Sequence, residues 1–108
     1  MIENLLASII VLLASLLTPG SLSFEQAVAI DRAFAPSQWA WAVRTSFCES
    51  GFHSDVVNKE SGTVGLFQTH PLHLARFSLW GADLTNPFVN SLVARAILDV
   101  DGKDAWDC

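Results

Sequence analysis

Ser37-Gln38-Trp39-Ala40-Trp41-Ala42-Val43-Arg44-Thr45-Ser46-Phe47-Cys48-Glu49-Ser50-Gly51-Phe52 is the stretch on which the reading of this chain turns. Trp39, Ala42, Val43, Ser46 and Phe47 recur at helical spacing, with Ser37 as the expected N-cap and Gly51 as the C-terminal stop. One carboxyl, Glu49, therefore falls in the last turn of a helix. The C-terminal end of a helix carries partial negative charge, which disfavours an ionised carboxylate. Phe47, Phe52, Trp39 and Trp41 are expected to exclude water from it, so that its pKa rises. A general acid at neutral pH requires that environment.

Downstream the helical period is lost. Val56-Val57 and Thr63-Val64 are short β-branched pieces set among Asn58, Gly62 and Gly65, and the pattern predicts a small hairpin or irregular lobe. The lobe ends in Gly65-Leu66-Phe67-Gln68. Amide groups and aromatic faces suit a sugar, which offers hydroxyls and C–H faces, so Gln68, Asn58, Phe67 and Trp41 are candidate contacts.

On either side the periodicity predicts more helix. A first helix is expected over 24–34 before Pro36, and a third from Pro71 to Gly81 through Leu72, Ala75, Arg76, Leu79 and Trp80. The last helix is expected from Pro87 to Val100, burying Phe88, Leu92, Val93, Ala96, Ile97 and Val100 and stopping at Gly102. The expected class is α+β and predominantly helical, with one domain over 24–108.

Residues 1–23 stand apart. Leu5 to Leu17 contains only Leu, Ala, Ser, Ile and Val and is followed by Pro19-Gly20, as in the hydrophobic region of a signal peptide. Ser21-Leu22-Ser23 is a small-x-small arrangement, so cleavage is expected after Ser23. The leader has no Lys or Arg before its apolar run, and membrane attachment through residues 5–17 as an uncleaved anchor is the alternative. Both readings export the domain to a secreted, periplasmic or cell-surface location.

An exported domain this small is often stapled covalently, and Cys48 and Cys108, the only two cysteines, are expected to form a disulfide. Net charge is −5, and six Lys and Arg residues are scattered without a basic patch, which argues against nucleic-acid binding.

Three motifs in order resemble one family. Glu49-Ser50-Gly51-Phe52 resembles the E-S-x-F motif of lysozyme-like lytic transglycosylases, and Ser61-Gly62-Thr63-Val64-Gly65-Leu66-Phe67-Gln68 resembles their S-G-x-x-G-L-[MF]-Q block. Asn86-Pro87-Phe88-Val89-Asn90 is similar to their [DN]-P-x-x-N start of a helix behind the cleft. The closing Gly102-Lys103-Asp104-Ala105-Trp106-Asp107-Cys108 looks like the G-x-x-x-W-x-C ending of a disulfide-bearing branch. The family's Tyr-Asn-Ala-Gly block is missing, and the chain has no tyrosine.

The resemblance implies a lysozyme-like fold and cleavage of the β-1,4 bond between N-acetylmuramic acid and N-acetylglucosamine in peptidoglycan. Glu49 would be the single acid and base, the product a 1,6-anhydro sugar, and Gln68, Phe67, Ser61 and Asn58 the substrate contacts. Neither metal nor organic cofactor is implied. The partner is the glycan strand, reached from outside the inner membrane or as part of a secretion, conjugation or phage-entry apparatus.

Rival readings stay open in the sequence. Asp55 or Glu60 could be a second carboxylate of a hydrolytic muramidase, although a turn role is the plainer reading. His53, His70 and His73 lack metal-ligand spacing, and Cys48 is more simply a half-cystine than a nucleophile. Trp39, Trp41, Trp80 and Trp106 divide between core and sugar stacking. A catalytically idle glycan-binding module is the reading from a different class.

Overall fold

Residues 22–108 are described by a computed structural model of the chain. Residues 1–21, with the expected leader and anchor segment 5–17, lie outside the described residues. The rest is predominantly helical: α1 (Phe24–Ala33), a 3₁₀ turn (Pro36–Gln38), α2 (Trp39–Ser50), α3 (Leu72–Arg76), α4 (Pro87–Asp101) and a second 3₁₀ turn (Lys103–Ala105). Among the described residues no helix is long and apolar enough to cross a membrane.

α1 starts at a capping box. The Ser23 hydroxyl accepts from the Gln26 amide at 3.0 Å, and the Gln26 side chain accepts from the Ser23 amide at 3.0 Å. Leu22, only 5 % exposed, joins Ala27, Ile30, Phe34, Trp39, Ala42, Leu66, Phe67 and Ala94 in the main core cluster. Thus two residues expected on the leader side of the boundary, Leu22 and Ser23, hold the first helix. α1 packs chiefly along α4.

α2 begins at Trp39 rather than after Ser37. The chain first makes the 3₁₀ turn, in which the Gln38 side chain accepts from the Ala35 amide at 2.9 Å, so Ser37 caps nothing. Phe47, expected on the core stripe, is 59 % exposed and packs on Phe52 at 5.2 Å. α3 is also shorter than predicted. It stops at Arg76 because Ser78 adopts φ 58°, a left-handed conformation that ends the spiral, and Trp80 is left 76 % exposed. Arg76 then grips Asp101 of α4 through paired contacts of 2.6 and 2.7 Å.

The lobe between α2 and α3 is nearly all turn. Val64 makes antiparallel bridges with Val57 and with Thr69, the minimal form of the expected hairpin. What fastens it to the helices is Asn90, 0 % exposed on α4. Its Oδ1 accepts from the Phe67 amide at 2.8 Å, while Nδ2 donates to the carbonyls of Val64 (2.8 Å) and Leu84 (2.9 Å) and lies 3.2 Å from the Thr69 hydroxyl. The close approach has a steric condition. A Cβ at Gly65, where φ is +80°, would collide with the Leu84 carbonyl and the Asn90 amide.

Three stability outcomes follow. Asn90→Ala strands several buried polar groups and is expected to cost on the order of 3–5 kcal/mol in urea unfolding. Ser91→Ala removes a buried hydroxyl with no partner among the described residues, and should cost less than about 1 kcal/mol. A chain beginning at Phe24 should be about 2–4 kcal/mol less stable than one beginning at Leu22, having lost a helix cap and a buried leucine. Thermal melts of the two chains check this.

Candidate functional site

Glu49 sits in the last turn of α2, half-buried, where the helix is terminated by two successive left-handed residues, Gly51 (φ 62°) and Phe52 (φ 64°). This sharp exit is held from both sides. Gln26 of α1 donates to the Phe52 carbonyl at 2.7 Å and to the Ser54 hydroxyl at 2.8 Å. The Ser50 hydroxyl lies 2.9 Å from the Ser46 carbonyl and 2.7 Å from the Leu66 carbonyl, joining the end of the helix to the Gly65–Gln68 turn. The position of Glu49 is therefore set by its neighbours on both sides of the chain.

The opposite wall comes from the C-terminus. Cys48 and Cys108 form a disulfide with Cα atoms 6.0 Å apart, closing a loop of separation 60. Such a loop is worth about 4 kcal/mol by chain-entropy reasoning. The Cys108 sulfur lies 3.2 Å from Glu49 Oε1. A half-cystine has no proton to give, so this is no hydrogen bond to an ionised Glu49; only the protonated carboxyl can donate to it, weakly. Trp106 adds a second fastening, its indole N–H donating to the Phe67 carbonyl at 3.1 Å and its ring meeting Trp41 edge-on at 5.1 Å.

Between these walls is a cleft of about 350 Å³ lined by Glu49, Asn58, Ser61, Thr63, Gln68, Ala105, Trp106 and Asp107. Burial raises the Glu49 pKa, and the nearby Asp107 carboxylate raises it further. An adjoining hollow of about 320 Å³ shares Thr63, Gln68, Ala105 and Trp106 and continues past His70 and His73. A larger hollow of about 470 Å³ at the end of α1 has only Asp31, Arg32 and Arg95 as charged walls and is remote from Glu49 in its lining.

Of the expected contacts, Gln68, Ser61 and Asn58 line the cleft with Glu49. Phe67 does not: its side chain is fully buried, 5.4 Å from the Phe34 ring. The left-handed Gln68 (φ 51°) turns the backbone so that residue 67 points to the core and residue 68 to the cleft. Gln68 is itself committed, since its amide nitrogen donates to the carbonyls of Gly65 (3.0 Å) and Val56 (3.2 Å). Its oxygen accepts from the Thr63 hydroxyl at 2.8 Å and keeps one lone pair for a ligand.

Asp55 and Glu60 are exposed and outside the cleft lining. Cys48 is bonded and is no nucleophile. The Trp39 ring is buried with its N–H on the Phe34 carbonyl at 3.0 Å, and Trp106 is the tryptophan that lines the cleft. Among the described residues no group of His, Cys, Asp and Glu side chains could hold a metal ion. Sequence reasoning missed Thr63 and Asp107. A signal for Asp107 existed: it precedes one half-cystine as Glu49 follows the other.

Comparison with known proteins finds no matching family model, curated protein or solved structure.

The raised pKa of Glu49 has a consequence for stability. Both the folded and unfolded chains carry a neutral Glu49 at low pH; as pH rises, the unfolded chain ionises first and the folded state is progressively disfavoured. Glu49→Gln removes that penalty. The variant is expected to melt at a higher temperature than wild type at pH 7, and the gap should close at a pH below the ordinary glutamate range. Paired melts at the two pH values measure it.

Proposed function

We propose that the protein is a peptidoglycan lytic transglycosylase of the lysozyme-like type, with Glu49 as its acid and base. The observation that carries this is a single half-buried carboxyl of raised pKa in a cleft walled by an indole and by hydroxyl and amide groups. The reading also draws on the motif order. The residues of E-S-x-F, G-L-F-Q and N-P-x-x-N meet through Ser50, Leu66, Phe67 and Asn90. The reading carries with it a lysozyme-like fold, and what supports that is a helical body, a small turn lobe and the acid at their junction. The disulfide suits an exported protein, because such bonds persist in oxidising compartments.

In the mechanism, neutral Glu49 protonates the glycosidic oxygen as the bond to the anomeric carbon breaks. The sugar ring takes on oxocarbenium character. The ionised Glu49 then removes the proton from the C6 hydroxyl of the same muramic acid, whose oxygen attacks the anomeric carbon and closes the 1,6-anhydro ring. One carboxyl serves both proton transfers. Trp106 offers an apolar face to the sugar, and Asn58, Ser61, Thr63 and the free lone pair of Gln68 offer polar partners.

A hydrolytic muramidase is the second reading, favoured by Asp107, a second carboxylate in the same cleft. Purified murein distinguishes the two: mass spectrometry should find 1,6-anhydro-muramyl ends, and only reducing ends would establish hydrolysis. Glu49→Gln should lower the rate of murein clearing by about 10²- to 10⁴-fold. Equal clearing by wild type and variant would remove Glu49 from the mechanism, and no clearing by either would leave a glycan-binding module.

A further inference from the structure

Asp107 stands between two fastenings. Its predecessor Trp106 is tied to the Phe67 carbonyl, and its successor Cys108 is bonded to Cys48, the residue before Glu49. A side chain exposed near a C-terminus is ordinarily free to leave an unfavourable partner. This one belongs to a segment fastened on both sides and lines the cleft that holds the Glu49 carboxyl.

No Lys or Arg lines that cleft among the described residues. On the elements around it, Lys59 and Glu60 of the turn after Asn58, His53 beyond α2, and Lys103 and Asp104 of the second 3₁₀ turn are all exposed and outside the lining. Glu49, half-buried, and Asp107, exposed, thus line one cleft with no Lys or Arg in its lining. A neighbouring negative charge in one cleft disfavours the ionised form of a carboxyl.

We infer that Asp107 is a positioning residue for the acid: the Trp106 and Cys108 fastenings hold its carboxylate in the Glu49 cleft, where its charge favours the neutral form of the acid. The inference rests on the reading of Glu49 as general acid. It adds a role for the disulfide, which presents the neighbouring charge as well as closing the chain. It also separates Asp107 from a hydrolytic base, which would activate water directly.

The experiment uses the whole chain with carbon-13-labelled glutamate carboxyls, the Glu49 signal being identified by its loss in Glu49→Gln. Asp107→Asn should titrate Glu49 at lower pH than wild type, whereas Asp104→Asn, an equal charge change outside the cleft, should leave it in place. An unmoved signal in Asp107→Asn, or an equal movement in Asp104→Asn, overturns the inference. On murein, Asp107→Asn should move the alkaline limb of activity to lower pH while the acid-side rate stays within a few-fold. A uniform loss of about 10²-fold or more at every pH, with the limb unmoved, would make Asp107 a catalytic base instead.

If Asp107→Asn does not form the disulfide by intact mass, wild-type titrations at low and high salt read the same coupling. Salt screens the repulsion and should lower the Glu49 midpoint; a salt-independent midpoint overturns the inference. The carboxyl titration stands without turnover. A shifted Glu49 signal in a protein that does not clear murein would refute the transglycosylase reading and retain the coupling.

Discussion

The buried side chain of Asn90 is the constraint on which the rest of the molecule depends. A lobe made almost wholly of turns leaves backbone groups that no ladder satisfies, and burying them unpaired would cost about 1–3 kcal/mol each. Asn90 answers the Phe67 amide and the carbonyls of Val64 and Leu84 at once. An aspartate could accept but not donate, and a leucine could do neither. Because α4 also packs along α1, this one amide transmits the register of the helical body to the lobe that carries Gln68. Gly65 is the steric counterpart, leaving the room Asn90 enters.

The C-terminal tail has the complementary task. It contributes little regular structure, yet Ala105, Trp106 and Asp107 form one wall of the cleft, and Trp106 also packs against both hydrophobic clusters. The indole hydrogen bond and the disulfide fix this irregular segment at two points separated by a single residue. The same two fastenings flank Asp107, which lines the cleft with the half-buried Glu49.

Much of the secondary structure was legible because local chemistry dictates it. Pro87 and Gly102 bracket α4, Gly51 ends α2, and the β-branched pairs around Asn58 and Gly62 mark the lobe. The helical pattern misleads where a left-handed residue just past the helix redirects the chain. Phe47 fits a helical stripe but is left exposed beside Phe52, and α3 stops early because Ser78 takes a left-handed turn. Glu49, Ser61 and Gln68 are legible as residues of motifs, and Asn58 as an amide in the turn-rich stretch. Phe67 was misplaced because its direction depends on the backbone of Gln68. Asp107 carries no motif or periodicity of its own; the Cys48–Cys108 pairing places the tail beside Glu49 but does not single out which tail residue enters the cleft.

The left-handed residues Phe52 and Gln68 connect these observations. Such conformations cost free energy for residues with a Cβ and persist only where surrounding contacts over-determine them. Phe52 is held by Gln26 on its carbonyl and by ring contact with Phe47; Gln68 is held by its own amide on Gly65 and Val56 and by Thr63. Each directs the chain at one edge of the Glu49 cleft. A half-dry glutamate beside a fixed aspartate is a third unfavourable feature at the same place. Packing alone would favour relaxing all three, with glycine at the turns and a neutral residue at position 49. Their concentration around one carboxyl, braced by Gln26, Ser50, Asn90 and the disulfide, is what the proposed role of Glu49 as a general acid would require.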